Sequence, residues 1–393
     1  MWFSLVSYGM YLLFLLVSPF HKKAKKWIKG RENYFQKLET NVPSKQGKRL
    51  WVHCASLGEF EQARPIIERW LKENDNWTLV LTFFSPSGYE IRKNYENAEW
   101  VGYMALDTKT NAKKFMDTIR PDMVLFVKYE FWYFHLTEVI RRKIPIYLVS
   151  ATFREGHYIL KSIGAKTRNI LKQFNHIFLQ EEQSLNRLKK KGFNNISISG
   201  DTRFDRVMAQ VALDEDVPNI KEWKGNNKTI ILGSSWKEEE ELMASFLPVN
   251  KEYKVIIAPH DIGHLEKIEN LFSFTTCSRY SEINTSSQVL IVDSIGLLSK
   301  LYKYGDIAII GGGYGRGLHN ILEPLAFGLS TFFGPVHDKF PEAKQAIKAG
   351  VGFELKGDFK VSESLPSKMR IKNYMQEHSG ATNKVLGFIE DQR

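Results

Sequence analysis

Glu59 stands in the stretch WVHCASLGEFEQARPIIERW, residues 51–70, after a short apolar run and a turn of small residues. A carboxylate at the carboxyl end of a strand, beside a ligand crevice, can take a proton from an attacking hydroxyl as a general base. The same position has a structural use. Ser56 and Glu59 make the S-x-x-E spacing of a capping box, in which the serine caps a helix and the glutamate returns to a backbone N–H. A helix N-terminus would also favour the ionised form that a base needs. The spacing leaves both readings open.

A second group lies in IIGGGYGRGLHNILEPLAFGLSTFFGP, residues 309–335. Gly311, Gly312 and Gly313 end a strand, and a helix is predicted to begin near Asn320. Glycines let backbone N–H groups approach a ligand, and a helix N-terminus favours phosphate. Glu323, one turn into that helix, suits ribose hydroxyls. A glycine run alone is often only a tight turn. Its combination with His319, Asn320, Glu323-Pro324 and Gly334-Pro335 is more specific. The spacing is neither a dinucleotide fingerprint nor a P-loop.

Other apolar runs also end in polar groups: Ser85, Ser87 and Gly88; Glu130 and Trp132; Arg203; Ser234 and Ser235; His260. Each alone fits a cap or a turn, and their recurrence after strands is what favours a site. Glu238–Glu241 read as a solvated helix start, favourable to the dipole. No H-x-x-x-H or D-x-D stands out as a metal-ligand set, which weighs against transferases that hold a metal through D-x-D.

These groups need a scaffold that gathers strand ends. Strand-like runs at 49–55, 77–84, 123–127, 144–150, 176–180 and 196–200 alternate with amphipathic runs. That rhythm predicts a parallel sheet covered by helices. It stops over 211–227 and restarts with runs at 228–235, 253–260, 288–294, 306–313 and 330–335. The predicted architecture is α/β, with two Rossmann-like domains facing a central cleft. The expected divisions are an N-terminal anchor over 1–31, a first domain over 32–210, a linker over 211–227, and a second domain over 228–372. A last helical stretch over 373–393 is expected to cross back to the first half. Ligands of such sheets bind beyond the carboxyl ends of the strands.

The chain has 393 residues, 43% apolar and 25% charged, and a net charge of +11. Two cysteines, Cys54 and Cys277, exclude a disulfide framework and fit a reducing compartment. The positive balance suits nucleic acid, anionic lipid or a phosphorylated substrate. Much of it sits in KKAKKWIKGR, residues 22–31, behind the uncharged stretch WFSLVSYGMYLLFLLVSPF, residues 2–20. A cleaved signal would carry its positive charge before the apolar region. The observed order reads as an uncleaved anchor whose basic flank faces anionic cytoplasmic lipids. A buried N-terminal helix is the alternative, and spanning or interfacial placement stays open.

The motifs HCASLGE, SPSGYE, EFW, SGDTRFD, GSSW, IVDSIGLLSKLYKYGDIAIIGGG and HNILEPLAFG…FGP occur in this order over nearly the whole chain. With them the chain resembles the 3-deoxy-D-manno-octulosonic acid (Kdo) transferases of lipopolysaccharide assembly. The resemblance implies a GT-B fold and transfer of Kdo from CMP-Kdo to a lipid A precursor, with inversion and without a metal or other cofactor. It implies Glu59 as the base, with Glu130 as a second catalytic carboxylate. It also implies a nucleotide site in the second half around Gly312, Gly313, His319, Asn320 and Glu323. Arg203, Ser234, Ser235 and His260 are expected to assist there, and Ser56, Gly58, Ser85, Ser87 and Gly88 to face the acceptor. Inner-membrane lipids are the expected surroundings, with the catalytic domains on the cytoplasmic side and nucleic acid not a partner.

The chain departs from the family pattern at several places. Lys128 stands where E-x-E-x-W has its first carboxylate. Leu297 follows Gly296 where G-E-L is expected, Ser235-Trp236 replaces Thr-His, and Arg203 replaces a lysine. Two other readings remain: a GT-B transferase using a UDP-sugar on a lipid acceptor, and a non-catalytic membrane protein that binds anionic ligands.

Overall fold

The computed structural model describes residues 2–362 and 364–392 of the chain. It divides into two compact units. The first runs to Arg206 and resumes at Gly380, and the second is Val207–Ser379.

The first unit is built on a seven-stranded sheet of order β3-β2-β1-β4-β5-β6-β7. Its strands are β1 (Lys48–Cys54), β2 (Trp77–Phe83), β3 (Trp100–Tyr103), β4 (Met123–Val127), β5 (Ile146–Ala151), β6 (His176–Leu179) and β7 (Ile196–Ile198). Every pairing is parallel. A parallel sheet needs crossover helices on both faces, so its strands read as continuous apolar runs. The helix Leu57–Glu73 covers one face with Phe60, Ala63, Ile67 and Trp70, set three and four residues apart and fully buried. They pack with Leu50, Val52 and Leu81. Phe115, Met116 and Trp51 fill the other face. Burying each large side chain stabilises by roughly 1.5–3 kcal/mol.

The second unit repeats the plan with order β10-β11-β9-β8-β12-β13-β14. Its strands are β8 (Lys228–Ser235), β9 (Tyr253–Pro259), β10 (Cys277–Arg279), β11 (Val289–Ile291), β12 (Ile307–Ile310), β13 (Ser330–Phe333) and β14 (Gly352–Glu354). These are parallel too. Three strands escape the sequence pattern: β3, β10 and β14. Each is three or four residues long and lies at a sheet edge, too short to show a period.

The boundaries differ from those expected. The chain leaves the first unit inside one helix, Thr202–Ala212, between Arg206 and Val207. The polar segment 211–227 is not a free linker. It folds onto the second unit, where Trp223 is buried and donates from Nε1 to Ser287 Oγ at 2.9 Å, and the Val217 N–H donates to Tyr304 Oη at 2.8 Å. The last helical stretch is two helices, Lys368–His378 and Ala381–Asp391, broken at Gly380 with φ +95°. Only the second belongs to the first unit. There Val385, Leu386 and Ile389 join the core beside helix 57–73. Asp205 fixes its start, accepting from the Thr382 N–H at 2.6 Å and from the Gly380 N–H.

The N-terminal stretch is also reshaped. Helix α1 (Trp2–Val17) has 16 residues, about 24 Å at 1.5 Å per residue, against a bilayer core of about 30 Å. No helix among the described residues is long and apolar enough to cross a membrane. Helix α2 (Lys22–Lys29) buries Ala24, Trp27 and Ile28, and Phe14 of α1 stacks on Trp27 at 4.5 Å. Arg31, expected to face lipid, is instead held inside the first unit. It donates to the carbonyls of Met104, Trp27 and Phe84 and lies 3.8 Å from the Trp27 ring centroid. Burial lowers its pKa to about 9.

Candidate active site

Ligands of open parallel sheets collect where the strand order reverses. In the first unit that place is the gap between β1 and β4. Glu59 follows β1, and Glu130 follows β4. Ser56 is the extended N-cap residue of helix 57–73, but its side chain makes no cap hydrogen bond. Glu59 reaches back past it and accepts from the Ala55 N–H at 2.5 Å. Half of the capping box is therefore present, displaced by one residue, while Gly58 is exposed beside it.

Glu59 is only 5% exposed. Burial, then the neighbouring charge of Glu130, raise its pKa to about 8, against the Ala55 hydrogen bond and the charge of Lys128. The expectation that the helix terminus keeps it ionised is thus reversed. Losing water costs the charged form more than one N–H and a helix end return. Burial likewise raises Glu130 to about 7. Two carboxylates with raised pKa values at a strand-order reversal are candidates for proton transfer.

The loop after β4 turns at Lys128, which adopts φ +61°. It brings Trp132 to the start of helix Tyr133–Arg141. Trp132 Nε1 donates to His53 Nε2 at 3.1 Å. That fixes the His53 proton on Nδ1, which lies 2.9 Å from Thr82 Oγ1. Burial holds His53 well below its usual pKa, so this ring is a neutral strut for the loop. Sequence reading passed over it, because a histidine in the middle of a strand looks like core.

Ser85 and Ser87 lie one strand over, after β2, with the Ser85 N–H donating to the Ala55 carbonyl at 2.8 Å. Their hydroxyls bond to each other at 3.0 Å, and Ser85 caps the Ser87 N–H. Gly88 is there for packing, since a Cβ would fall 2.2 Å from the Phe83 ring. Arg203 does not present a bare cation. It grips Asp201 through Nε and Nη2 at 2.9 and 2.6 Å.

In the second unit the order reverses between β8 and β12. The glycine turn follows β12 and is tightly built. A Cβ on Gly313 would lie 2.4 Å from Gly334 N, and Gly312 holds φ +85°. The Gly317 N–H returns to the Gly312 carbonyl at 3.0 Å, and the His319 N–H to that of Gly311 at 3.1 Å. Trp236, after β8, gathers the histidines. It stacks on His260 at 4.4 Å and donates to His319 Nε2 at 3.4 Å. Burial and then His260 lower His319 to about 4. Asn320 Nδ2 donates to Glu323 Oε1 at 2.9 Å, at the start of the short helix Leu322–Ala326.

Several expected anion-binding groups are already engaged. The Gly312 N–H donates to Glu239 Oε1 at 3.1 Å, and the Trp236 N–H to Glu239 Oε2 at 3.0 Å. Ser235 Oγ donates to Glu240 at 2.9 Å, while Ser234, at φ +52°, redirects the chain. The acidic run is consequently not a solvated helix start, as Glu239 and Glu240 are buried. Burial raises Glu239 to about 7.

Two metal-like spacings do exist in the chain. Asp214 and Asp216 of a D-x-D both pair with Lys303, at 2.9 and 2.7 Å. His264, four residues after His260, faces Glu240 at 3.5 Å. No group of three His, Cys, Asp or Glu among the described residues is arranged to hold a metal.

The chain has relatives among known proteins in both sequence and fold. Residues 29–206 match the family model described as 3-Deoxy-D-manno-octulosonic-acid transferase (kdotransferase). A 3-deoxy-D-manno-octulosonic acid transferase of Aquifex aeolicus is 30% identical over 333 residues, covering 82% of this chain and 86% of its own. That of Haemophilus influenzae is 25% identical over 318 residues, 77% and 74% of the two chains. Among solved structures, a UDP-GlcNAc 2-epimerase from Neisseria meningitidis has a TM-score of 0.56 at 16% identity, over 88% of this chain and 100% of that one. A glycotransferase of kitacinnamycin has a TM-score of 0.55 at 13% identity, over 88% and 99%. At those identities the likeness is one of fold, the paired Rossmann-like sheets of the GT-B class. The chain belongs to the family of 3-deoxy-D-manno-octulosonic-acid transferases.

Proposed function

We propose that the protein moves Kdo from CMP-Kdo to a hydroxyl of the lipid A precursor, inverting the anomeric centre without a metal. The observation that carries the reading is Glu59, a buried carboxylate at the strand-order reversal with its pKa raised to about 8. In the mechanism, the ionised Glu59 takes the proton of the acceptor hydroxyl. The hydroxyl oxygen bonds to the anomeric carbon of Kdo, the carbon–oxygen bond to phosphate breaks, and CMP leaves with that electron pair. The Ala55 N–H and the Lys128 charge favour the ionised base. Burial, and then the charge of Glu130, raise its pKa toward neutrality, so that it can also hold the proton it takes. The second unit binds the donor, with Glu323 and Asn320 toward the ribose and the glycine turn toward the phosphate.

The reading includes attachment to the cytoplasmic face of the inner membrane. Leu5, Leu12, Leu13 and Leu16 of α1 are more than half exposed, and Phe20 is 93% exposed. Lys22, Lys23, Lys25, Lys26 and Lys29 follow them, all exposed. A short apolar helix with a basic flank suits an interfacial position on anionic lipid.

The test uses purified protein in detergent with CMP-Kdo, generated in situ, and tetra-acylated lipid A precursor. CMP release and lipid mass are followed, with Glu59→Ala in parallel. A Kdo mass increment in the wild type and none in the variant supports reaction and base together. CMP-Kdo binding without transfer rejects this acceptor. Transfer from a UDP-sugar, with CMP-Kdo inert, rejects the donor.

A further inference from the structure

The turn between β12 and helix 322–326 carries one cation that the roles above do not use. Arg316 sits between Gly315 and Gly317, whose φ angles are +116° and +105°. A Cβ on either glycine would meet nothing within 4 Å, so it is backbone conformation rather than crowding that calls for glycine there. The return bond from Gly317 to Gly312 closes this segment over the glycine turn. Gly317, the next residue after Arg316, thereby lies against Gly312, which also faces the His319 ring. The Arg316 guanidinium lies 4.4 Å from the Trp236 ring centroid. Among the described residues it has no hydrogen-bond or ion-pair partner, and it is exposed.

A cation over an exposed ring is weakly held, whereas a guanidinium on phosphate or carboxylate makes paired, charge-assisted hydrogen bonds. The neighbours leave that work undone. His319 is neutral at physiological pH, and the Gly312 N–H and the Ser235 hydroxyl are taken by Glu239 and Glu240. A negatively charged donor approaching this turn meets Arg316 as its available positive charge.

We propose that Arg316 is the donor-anion clamp of the second unit, leaving the indole face of Trp236 to bind the phosphate or the sugar-acid carboxylate of the donor. The inference rests on the donor reading above, and the test separates the two. Calorimetry on the full chain in detergent would compare cytidine, CMP and CMP-Kdo, using wild type, Arg316→Ala, Arg316→Lys and a distant exposed control, Arg69→Ala. Steady-state kinetics with CMP-Kdo would run alongside.

The expected result for Arg316→Ala is a loss of roughly 10–100-fold in affinity with a matching rise in donor KM, the scale of a lost charged hydrogen bond. Cytidine binding and the control should be unchanged, and lysine should restore part of the loss. Loss for CMP and CMP-Kdo alike assigns the phosphate, and loss for CMP-Kdo alone assigns the carboxylate. Unchanged affinity and KM in Arg316→Ala, with wild type binding CMP, overturns the clamp and leaves the donor reading standing. Wild type that binds neither CMP nor CMP-Kdo overturns both.

Discussion

The two units share one topology and place polar groups at the same reversal of strand order, but they fill it differently. Beyond β1 and β4 the first unit holds two carboxylates pushed toward neutral pKa values, Glu59 buried and Glu130 half-buried, with Glu59 accepting one backbone hydrogen bond, from Ala55. Beyond β8 and β12 the second unit also buries a carboxylate, Glu239, yet both of its oxygens accept backbone N–H groups. One carboxylate is left ready to exchange a proton, while the other ties a helix start to a glycine turn. On the proposed mechanism, the same scaffold position serves chemistry in one half and holding in the other. What separates them is how many hydrogen bonds the carboxylate already makes.

The contrast is most exposed to a test at Glu59. Glu59→Ala should lower kcat by roughly 10²–10⁴-fold, the usual worth of a general base, while donor KM stays near wild type. A mild kcat effect would erase the distinction between the two halves.

Stability against pH tests the same residue without substrate. The Glu59 pKa is raised from 4.5 to about 8, so its neutral form fits the fold. Stability is fully present below about pH 4.5 and is lost as pH rises through about 8. Glu59→Gln should remove that loss and gain on the order of 2–4 kcal/mol at pH 9 in urea unfolding. A variant that tracks wild type across this range would show that the carboxylate is not desolvated.

The opposite sign is expected in the second unit. Glutamine offers only one acceptor oxygen, so Glu239→Gln leaves one N–H facing an amide N–H. It should cost about 1–3 kcal/mol at pH 8, and a gain there would mean that Glu239 resembles Glu59 after all. The smallest effect concerns Lys128, whose charge lowers the Glu59 pKa. Lys128→Ala should shift the rising limb of the kcat/KM profile to higher pH. A shift to lower pH would place the lysine's influence elsewhere.

Much of the scaffold was readable from alternating apolar and amphipathic runs, because parallel strands are buried on both faces and leave continuous apolar signatures. Edge strands β3, β10 and β14 left none. Among site residues, position after a strand was legible for Glu59, Glu130, His260 and the glycines, since it follows from the order of runs. Burial was not. Glu239 and Glu240 sit in a run of four acids that looks solvated, and only the approach of Gly312 from β12 shows otherwise. Arg203 looked like a phosphate ligand because sequence shows its charge, whereas Asp201, two residues away, neutralises it in space. The N-terminal stretch read as one long apolar segment, and its helix stops at Val17, ahead of Pro19, which lacks a backbone donor.

The late return of the chain has a consequence for biosynthesis. Val385, Leu386 and Ile389 complete a core that also holds residues from β1 and helix 57–73, more than 300 positions earlier in the chain. On the ribosome, all of Val207–Ser379 emerges before these side chains exist outside the tunnel. The second unit can therefore finish folding during translation, while the first waits with an apolar face uncovered until helix Ala381–Asp391 emerges. A chain broken anywhere before Ala381 leaves that face open, so the core of the first unit closes only after the second unit has been made.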